Sequence, residues 1–111
     1  MKEIYFDHSA TTRTDERVVK KMLPYFTEIY GNANSQHKYG RDAMEAVDNA
    51  RDKIASLLGA KPSEIYFTSG GTEADNWTLR GVCEALKGKG KHVIITKIEH
   101  AAMLSTAKEL E

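Results

Sequence analysis

Two short apolar runs, each followed by a helical pattern, constrain the fold more than any other feature of this sequence. The runs lie at residues 65–68 and 92–96, and the helical patterns occupy residues 73–86 and the residues from 101 onward. Short apolar runs bounded by turn residues are typical of buried strands, and strands that alternate with helices are typical of a parallel sheet with crossover helices. The sequence therefore predicts an α/β fold.

The first part of the chain carries helical signals. Apolar residues recur there at spacings of three and four, at Tyr39, Ala43, Val47, Ala50, Ile54, Leu57 and Leu58. Gly59 follows where a helix C-cap is expected. Asp15 is the predicted N-cap of an earlier helix, which Pro24 is expected to kink or end. We therefore expect one domain, with an N-terminal loop and helical segment at 1–60 and the start of the parallel sheet at 61–111.

The predicted sheet is incomplete. Two central strands are too few for a stable open sheet. The last helical segment, 101–111, has no C-terminal signal and no return strand after it. We therefore expect the chain to be interrupted, either as a fragment or as a truncated gene product.

Charge and cysteine content exclude several classes of protein. Sixteen basic residues balance sixteen acidic ones, so no global field favours nucleic acid or a membrane surface. The chain shows no secretory signal and no run of about 18 apolar residues that could span a membrane. Cys83 is the single cysteine, and the four histidines lack the spacing of a helical zinc site, so we predict no disulfide and no metal site. A cytoplasmic location is the prediction.

A glycine-bearing turn at residues 69–72 joins the first predicted strand to its helix. A helix that follows a strand presents unpaired N–H groups and the positive end of its dipole, which suits a phosphate. Gly70 and Gly71 allow backbone conformations that side chains would forbid and let an anion approach closely, and Thr72 adds a hydroxyl donor. Glu73 competes with an anion unless its side chain turns away. The alternative is a tight strand-to-helix connection that binds nothing.

A histidine lies in the corresponding place after the second predicted strand. Residues just past the carboxyl ends of neighbouring parallel strands share one crevice, so His100 is expected near Gly71 and Thr72. An imidazole there could stack on a planar cofactor or move a proton near neutral pH. A partly exposed loop histidine without a role is the alternative, and it applies equally to the other three histidines.

Four segments together closely resemble the opening of the cysteine desulfurases. They are residues 5–12 (YFDHSATT), 31–37 with 40–41 (GNANSQH and GR), 65–76 (IYFTSGGTEADN), and Thr96 with Glu99 and His100. Each segment is weak evidence alone, but all four occur in the same order and spacing. These enzymes are class-V-aminotransferase-like and belong to fold type I, so the resemblance implies the N-terminal part of a fold-type-I pyridoxal-phosphate-dependent transferase.

The resemblance also implies roles for individual residues. Gly71 and Thr72 would bind the phosphate of pyridoxal 5'-phosphate. His100 would stack on the pyridine ring of this cofactor and act as a catalytic residue that helps proton transfers. The loops at 10–12 and 32–37 would line or support the active-site entrance without a chemical step of their own.

Several positions depart from the pattern that the resemblance implies. The family usually has Asn-Pro-Ser-Ser where residues 32–35 read Asn-Ala-Asn-Ser, and His8 stands where asparagine or tyrosine is more usual. Arg41 is expected to pair with the loop before it. The Schiff-base lysine, the aspartate on the pyridine nitrogen and the persulfide cysteine of the family lie further along the chain than this stretch. Cys83 is expected to be a small buried residue, not the persulfide cysteine.

The function implied by the resemblance is that of the N-terminal part of a cysteine desulfurase. The full enzyme converts L-cysteine to L-alanine and passes sulfur to an iron–sulfur scaffold or other acceptor protein, as a homodimer, with no nucleic acid or membrane partner. These 111 residues alone are expected to be inactive. The alternatives are a selenocysteine lyase, a cysteine-sulfinate-acting relative, or a non-catalytic truncated binding product.

Overall fold

The computed structural model describes residues 3–111, and the regular elements of this part of the chain are helical. They are α1 (Glu16–Met22), α2 (Pro24–Thr27), α3 (Lys38–Leu58), a single 3₁₀ turn (Pro62–Glu64), α4 (Gly71–Leu86) and α5 (Ala101–Glu109). The chain divides into two compact units, Met1–Ile65 and Tyr66–Glu111. The predicted division of one domain into a loop and helical segment at 1–60 and the start of a cofactor-binding sheet at 61–111 stays a prediction.

The start and end of α1 follow from its two flanking residues. The side chain of Asp15 accepts a hydrogen bond from the backbone N–H of Arg17 at 2.8 Å, so the predicted N-cap is confirmed. The helix ends at Met22, and Pro24 occupies the first turn of α2. Proline has no N–H to donate to the preceding turn, but it fits the start of a new helix. The predicted break at this position is therefore confirmed.

The long helix α3 matches the predicted pattern and ends at the predicted glycine. Gly59 has φ 66° and ψ 26°, the left-handed conformation of a C-cap, and its N–H donates to the carbonyls of Ala55 and Ser56. The buried residues of α3 are small, namely Gly40, Ala43 and Ala55. A close backbone approach explains Gly40, because a Cβ built there would lie 2.0 Å from the carbonyl oxygen of Ser35.

The 3₁₀ turn packs against α3 within the first unit. The guanidinium Nε of Arg51 on α3 donates to the carbonyl oxygen of Ile65 at 3.3 Å. The turn is closed locally, since the carboxylate of Glu64 accepts the backbone N–H of Lys61 at 2.7 Å. These contacts hold residues 61–65 against α3.

The predicted parallel sheet is not formed among residues 3–111. Residues 65–68 and 91–96 belong to neither helix nor sheet. A strand is stabilised by ladder hydrogen bonds to a neighbour, and an isolated pair of short strands lacks enough partners for independent stability. The apolar side chains of these segments are correspondingly exposed, with Tyr66 at 67% and Ile94 at 93%. The ring of Tyr66 contacts Trp77 on α4 edge-on, with ring centroids 5.2 Å apart.

The second unit is built on the packing of α4 against α5. Leu79 on α4 and Ala102 and Thr106 on α5 are the buried residues of these two helices. The predicted helices from residue 73 and from residue 101 are both confirmed.

Candidate functional site

The glycine turn before α4 is exposed and does not use the conformational freedom that was predicted for it. Gly70 is extended, with φ 165° and ψ −179°, and Gly71 is the first residue of α4. Among the described residues, Gly59 is the glycine with a positive φ. A Cβ built at Gly70 or Gly71 would meet no heavy atom within 4 Å. Neither backbone enters a region closed to side chains, and both glycines leave open space in front of the turn, so their part in binding an anion stays a prediction.

Glu73 turns back onto the residue that precedes the glycines. Its carboxylate Oε2 accepts the backbone N–H of Ser69 and the hydroxyl of Ser69, both at 2.6 Å. These hydrogen bonds, the hydroxyl bond first, lower the pKa of Glu73 below its ordinary value. The predicted competition of Glu73 with an anion is reduced in this geometry, since its charge is already engaged by Ser69.

The first turn of α4 keeps its backbone donors open. Ala74 donates its N–H to the carbonyl of Gly70, as the helix requires, but the N–H groups of Gly71, Thr72 and Glu73 have no acceptor in the described part of the chain. All three residues are exposed. A helix N-terminus with open donors and the positive end of a helix dipole favours an anion at this point.

His100 is the N-cap of α5. Its Nδ1 accepts the backbone N–H of Ala102 at 3.2 Å, which requires the ring hydrogen to lie on Nε2. The residue is exposed, so the Nε2 edge and the ring faces can meet a ligand. The carboxylate of the preceding residue, Glu99, accepts the hydroxyl of Thr96 at 2.8 Å.

Helices α4 and α5 run in the same direction. The hydroxyl of Thr106 donates to Oδ1 of Asn76 at 2.7 Å, and further along both helices Arg80 forms an ion pair with Glu109. Asn76 and Thr106 each lie five residues after the first residue of their helix, or about 7.5 Å at 1.5 Å per residue. The two N-termini therefore lie at the same end of the helix pair.

Sequence reasoning placed Gly71, Thr72 and His100 in one cleft, and the parallel helices put these residues at one end of the second unit. It missed His100 as a helix cap, since serine, threonine, aspartate and asparagine are the usual N-caps. It also missed the pair Asn76 and Thr106. The available signal for Asn76 was its place four residues after Thr72, which lets an amide reach back to the preceding turn.

The loops of the first unit are held by local hydrogen bonds. The hydroxyls of Tyr5 and Thr11 lie 2.6 Å apart, and Nδ1 of His8 lies 2.9 Å from the hydroxyl of Thr12. Arg41 confirms its predicted pairing, since its Nη1 donates to the carbonyl of Gln36 at 2.6 Å. These residues stabilise the two loops and form no acid–base constellation of their own.

The loop that lacks the expected proline is closed by Asn32. Its side-chain Oδ1 accepts the backbone N–H of Asn34 at 2.9 Å, and its carbonyl accepts the N–H of Ser35. An asparagine that bonds its own backbone two residues on makes a turn without proline. The loop therefore keeps a defined turn despite the substitution.

Cys83 lies half-buried on α4 as a free thiol. No group of three or more histidine, cysteine, aspartate or glutamate side chains comes together as a metal site within the described chain. No helix of the described residues is long and apolar enough to cross a membrane.

Comparison with known proteins defines the class to which this fold and turn belong. The family model for aminotransferase class-V matches residues 4–111. The chain belongs to this family.

Individual proteins that match this chain are named cysteine desulfurases or NifS-like. The chain is 50% identical over 110 residues to the cysteine desulfurase IscS of Clostridium botulinum strain Kyoto and 51% identical over 109 residues to that of Neisseria meningitidis strain Z2491. These matches cover 99% and 97% of this chain and 28% and 27% of the relatives. A solved NifS-like protein superposes with a TM-score of 0.89 at 47% identity, covering 96% of this chain and 29% of that one. The chain thus spans less than a third of the length of the relatives it matches.

Proposed function

We propose that this chain provides the phosphate-binding turn and the ring-stacking histidine of a pyridoxal-phosphate-dependent cysteine desulfurase. The observation that carries the proposal is the parallel packing of α4 and α5, which puts the open donors of Gly71 and Thr72 and the imidazole of His100 at one end of the helix pair. The identity of about 50% to enzymes named cysteine desulfurase supports it.

The turn before α4 fits a phosphate in three respects. The N–H groups of Gly71, Thr72 and Glu73 are open, and the hydroxyl of Thr72 adds a further donor. The space in which a Cβ of Gly70 or Gly71 would project is empty, so a phosphoryl group can approach the backbone. The carboxylate of Glu73 is engaged by Ser69. Donors without acceptors next to open space are what a phosphate ester requires.

His100 fits a planar cofactor because its backbone and one ring nitrogen are fixed. The hydrogen bond from Ala102 holds the imidazole by Nδ1 and leaves the Nε2–H as a donor that faces a ligand. A face of the exposed ring can stack on a pyridine ring. Pyridoxal phosphate, when bound, supplies the electron sink for the reaction. His100 then orients the cofactor ring, and it takes up a proton at Nδ1 only when the hydrogen bond from Ala102 is released.

The remaining parts of the proposal concern the whole protein. Residues 65–68 and 91–96 would become parallel strands when further strands pair with them, as fold type I requires. The rest of the enzyme would provide the Schiff-base lysine, the aspartate on the pyridine nitrogen and the persulfide cysteine. We propose a cytoplasmic homodimer that takes L-cysteine as substrate and delivers sulfur to an iron–sulfur scaffold or another acceptor protein.

The experiment that tests the proposal is an assay of the full-length gene product that carries this sequence. With added pyridoxal phosphate and a thiol acceptor, it should convert L-cysteine to equal amounts of L-alanine and sulfide. L-selenocysteine and L-cysteine sulfinate serve as competing substrates, since the matched relatives support a desulfurase over the other two activities. Failure to bind the cofactor, or alanine formed only from one of the competing substrates, would overturn it.

A further inference from the structure

Asn76 and Thr106 form a part-buried polar contact between the two helices of the second unit. Thr106 is 2% exposed and is the buried polar residue of the described chain, where the other buried positions are apolar or glycine. Its hydroxyl donates to Oδ1 of Asn76 at 2.7 Å. Two helices that met only through alanine and leucine could slide along each other with little change in contact. A part-buried hydrogen bond between two defined atoms favours one register instead.

The same asparagine also holds the start of α4. Its Nδ2 donates to the carbonyl oxygen of Thr72 at 2.9 Å. One amide group therefore joins Thr72 in the first turn of α4 to Thr106 in the middle of α5. We call these three residues, Thr72, Asn76 and Thr106, the polar relay. Because both Nδ2 and Oδ1 are used, a rotation of the Asn76 side chain would break both bonds together.

We propose that Asn76 is a positioning residue that fixes the phosphate turn relative to the imidazole of His100, an inference that rests on the proposed function. His100 caps α5, so it moves with that helix, and Thr72 moves with α4. The polar relay is the hydrogen-bonded connection between the two helices nearest to their N-termini. It acts through Thr72 and does not itself touch the cofactor.

A second link between the helices provides a matched control. Arg80 and Glu109 also pair across α4 and α5, but both side chains are substantially exposed, at 46% and 64%. An exposed ion pair contributes little to stability and does not define a register. Glu109→Gln removes the charge from this pair and keeps the two hydrogen bonds of the relay, although Nε of Arg80 also donates to Oδ1 of Asn76 at 3.4 Å.

The test compares two ligands that differ only in the phosphate. For the full-length protein, dissociation constants are measured for pyridoxal phosphate and for pyridoxal, and their ratio reports the contribution of the phosphate turn. Thr106→Val keeps the shape of the side chain and removes its hydroxyl. It should weaken pyridoxal phosphate binding by about tenfold, the equivalent of one lost hydrogen bond, with little change for pyridoxal. Thr106→Ser should restore the ratio, and Glu109→Gln should leave it unchanged.

The outcomes separate the two proposals. If the wild-type protein binds both ligands equally, the phosphate turn itself is wrong, and the relay has nothing to position. If the wild-type protein prefers pyridoxal phosphate and Thr106→Val keeps the same ratio, Asn76 and Thr106 have a purely structural role and the inference is overturned. Thermal melts accompany each variant. If Thr106→Val does not fold, Asn76→Ala at the half-buried end of the relay takes its place, with the same expected loss.

Discussion

The carboxylate of Glu73 accepts two hydrogen bonds from Ser69, one from the backbone N–H and one from the hydroxyl, both at 2.6 Å. A single side chain therefore closes the turn that contains both glycines. This side chain carries a negative charge at the N-terminus of α4, where an anionic ligand is proposed to bind. Stability of the turn and affinity for the ligand thus depend on the same residue in opposite directions.

Replacement of this carboxylate by an amide should strengthen phosphate binding. Glu73→Gln keeps an oxygen acceptor for Ser69 but removes the negative charge, so affinity for pyridoxal phosphate should rise by about two- to fivefold at low salt. Glu64→Gln is the matched control, since Glu64 also accepts a backbone N–H in a turn, but in the first unit. Titration by absorbance measures both. Weaker binding by the Glu73 variant would contradict the geometry.

The stability of the turn should depend on pH through Glu73. Hydrogen bonds from Ser69 lower the pKa of Glu73 in the folded protein, so the charged form stabilises the fold above the ordinary glutamate pKa of 4.5. This contribution is lost as the pH falls through the lower, folded pKa. The difference in Tm between the wild-type protein and Glu73→Gln should therefore shrink as the pH falls from 6 to 3. This interval extends roughly one to two units on either side of the ordinary glutamate pKa. A difference that stays constant with pH would show that the carboxylate is not engaged.

His100 should have two separable roles, one as helix cap and one as ligand. Asparagine is a good N-cap without an aromatic ring, so His100→Asn should keep the stability of α5 and lose the cofactor stacking. His100→Ala should lose both and destabilise the fold by about 1 kcal/mol. His37 is the N-cap of α3 through the same ring atom, and His37→Asn should likewise keep the stability of its helix. Denaturant unfolding and the visible spectrum of the bound cofactor distinguish these variants.

The close approach at Gly40 should be sensitive to a single methyl group. Gly40→Ala would put a Cβ 2.0 Å from the carbonyl oxygen of Ser35, and the loop must move at a cost of about 1–3 kcal/mol. Gly81 on α4 is the contrasting position, since the nearest atom to its Cβ is 4.0 Å away. Gly81→Ala should stabilise the protein by about 0.5–1 kcal/mol, because alanine favours a helix. Equal stability of the two variants would contradict the packing of residues 32–37 against α3.

Local signals in the sequence predicted the helices but not the contacts between them. Asp15, Pro24 and Gly59 act on neighbouring residues, so caps and breaks could be read from the chain alone. The strands at 65–68 and 92–96 were predicted from the same kind of signal. A strand, however, needs a partner to form its hydrogen bonds, and local sequence does not supply one.

The candidate site was predictable in part for the same reason. The turn at Gly71 and Thr72 precedes a helix, and a helix start exposes donors in any context. The bond between Asn76 and Thr106 spans thirty positions, and it depends on how α4 and α5 pack. The position of the Glu73 carboxylate was predictable only in part. The sequence showed that its direction mattered, and only the structure showed that it binds Ser69.

The central claim is that the turn at Gly71 and Thr72 and the ring of His100 belong to one site for one ligand. The most direct measurement is a crystal structure of the full-length protein with pyridoxal phosphate. The phosphate oxygens should lie about 2.7–3.2 Å from the backbone nitrogens of Gly71 and Thr72, with the pyridine ring stacked on His100. A phosphate bound elsewhere, or a pyridine ring that does not meet His100, would contradict the account.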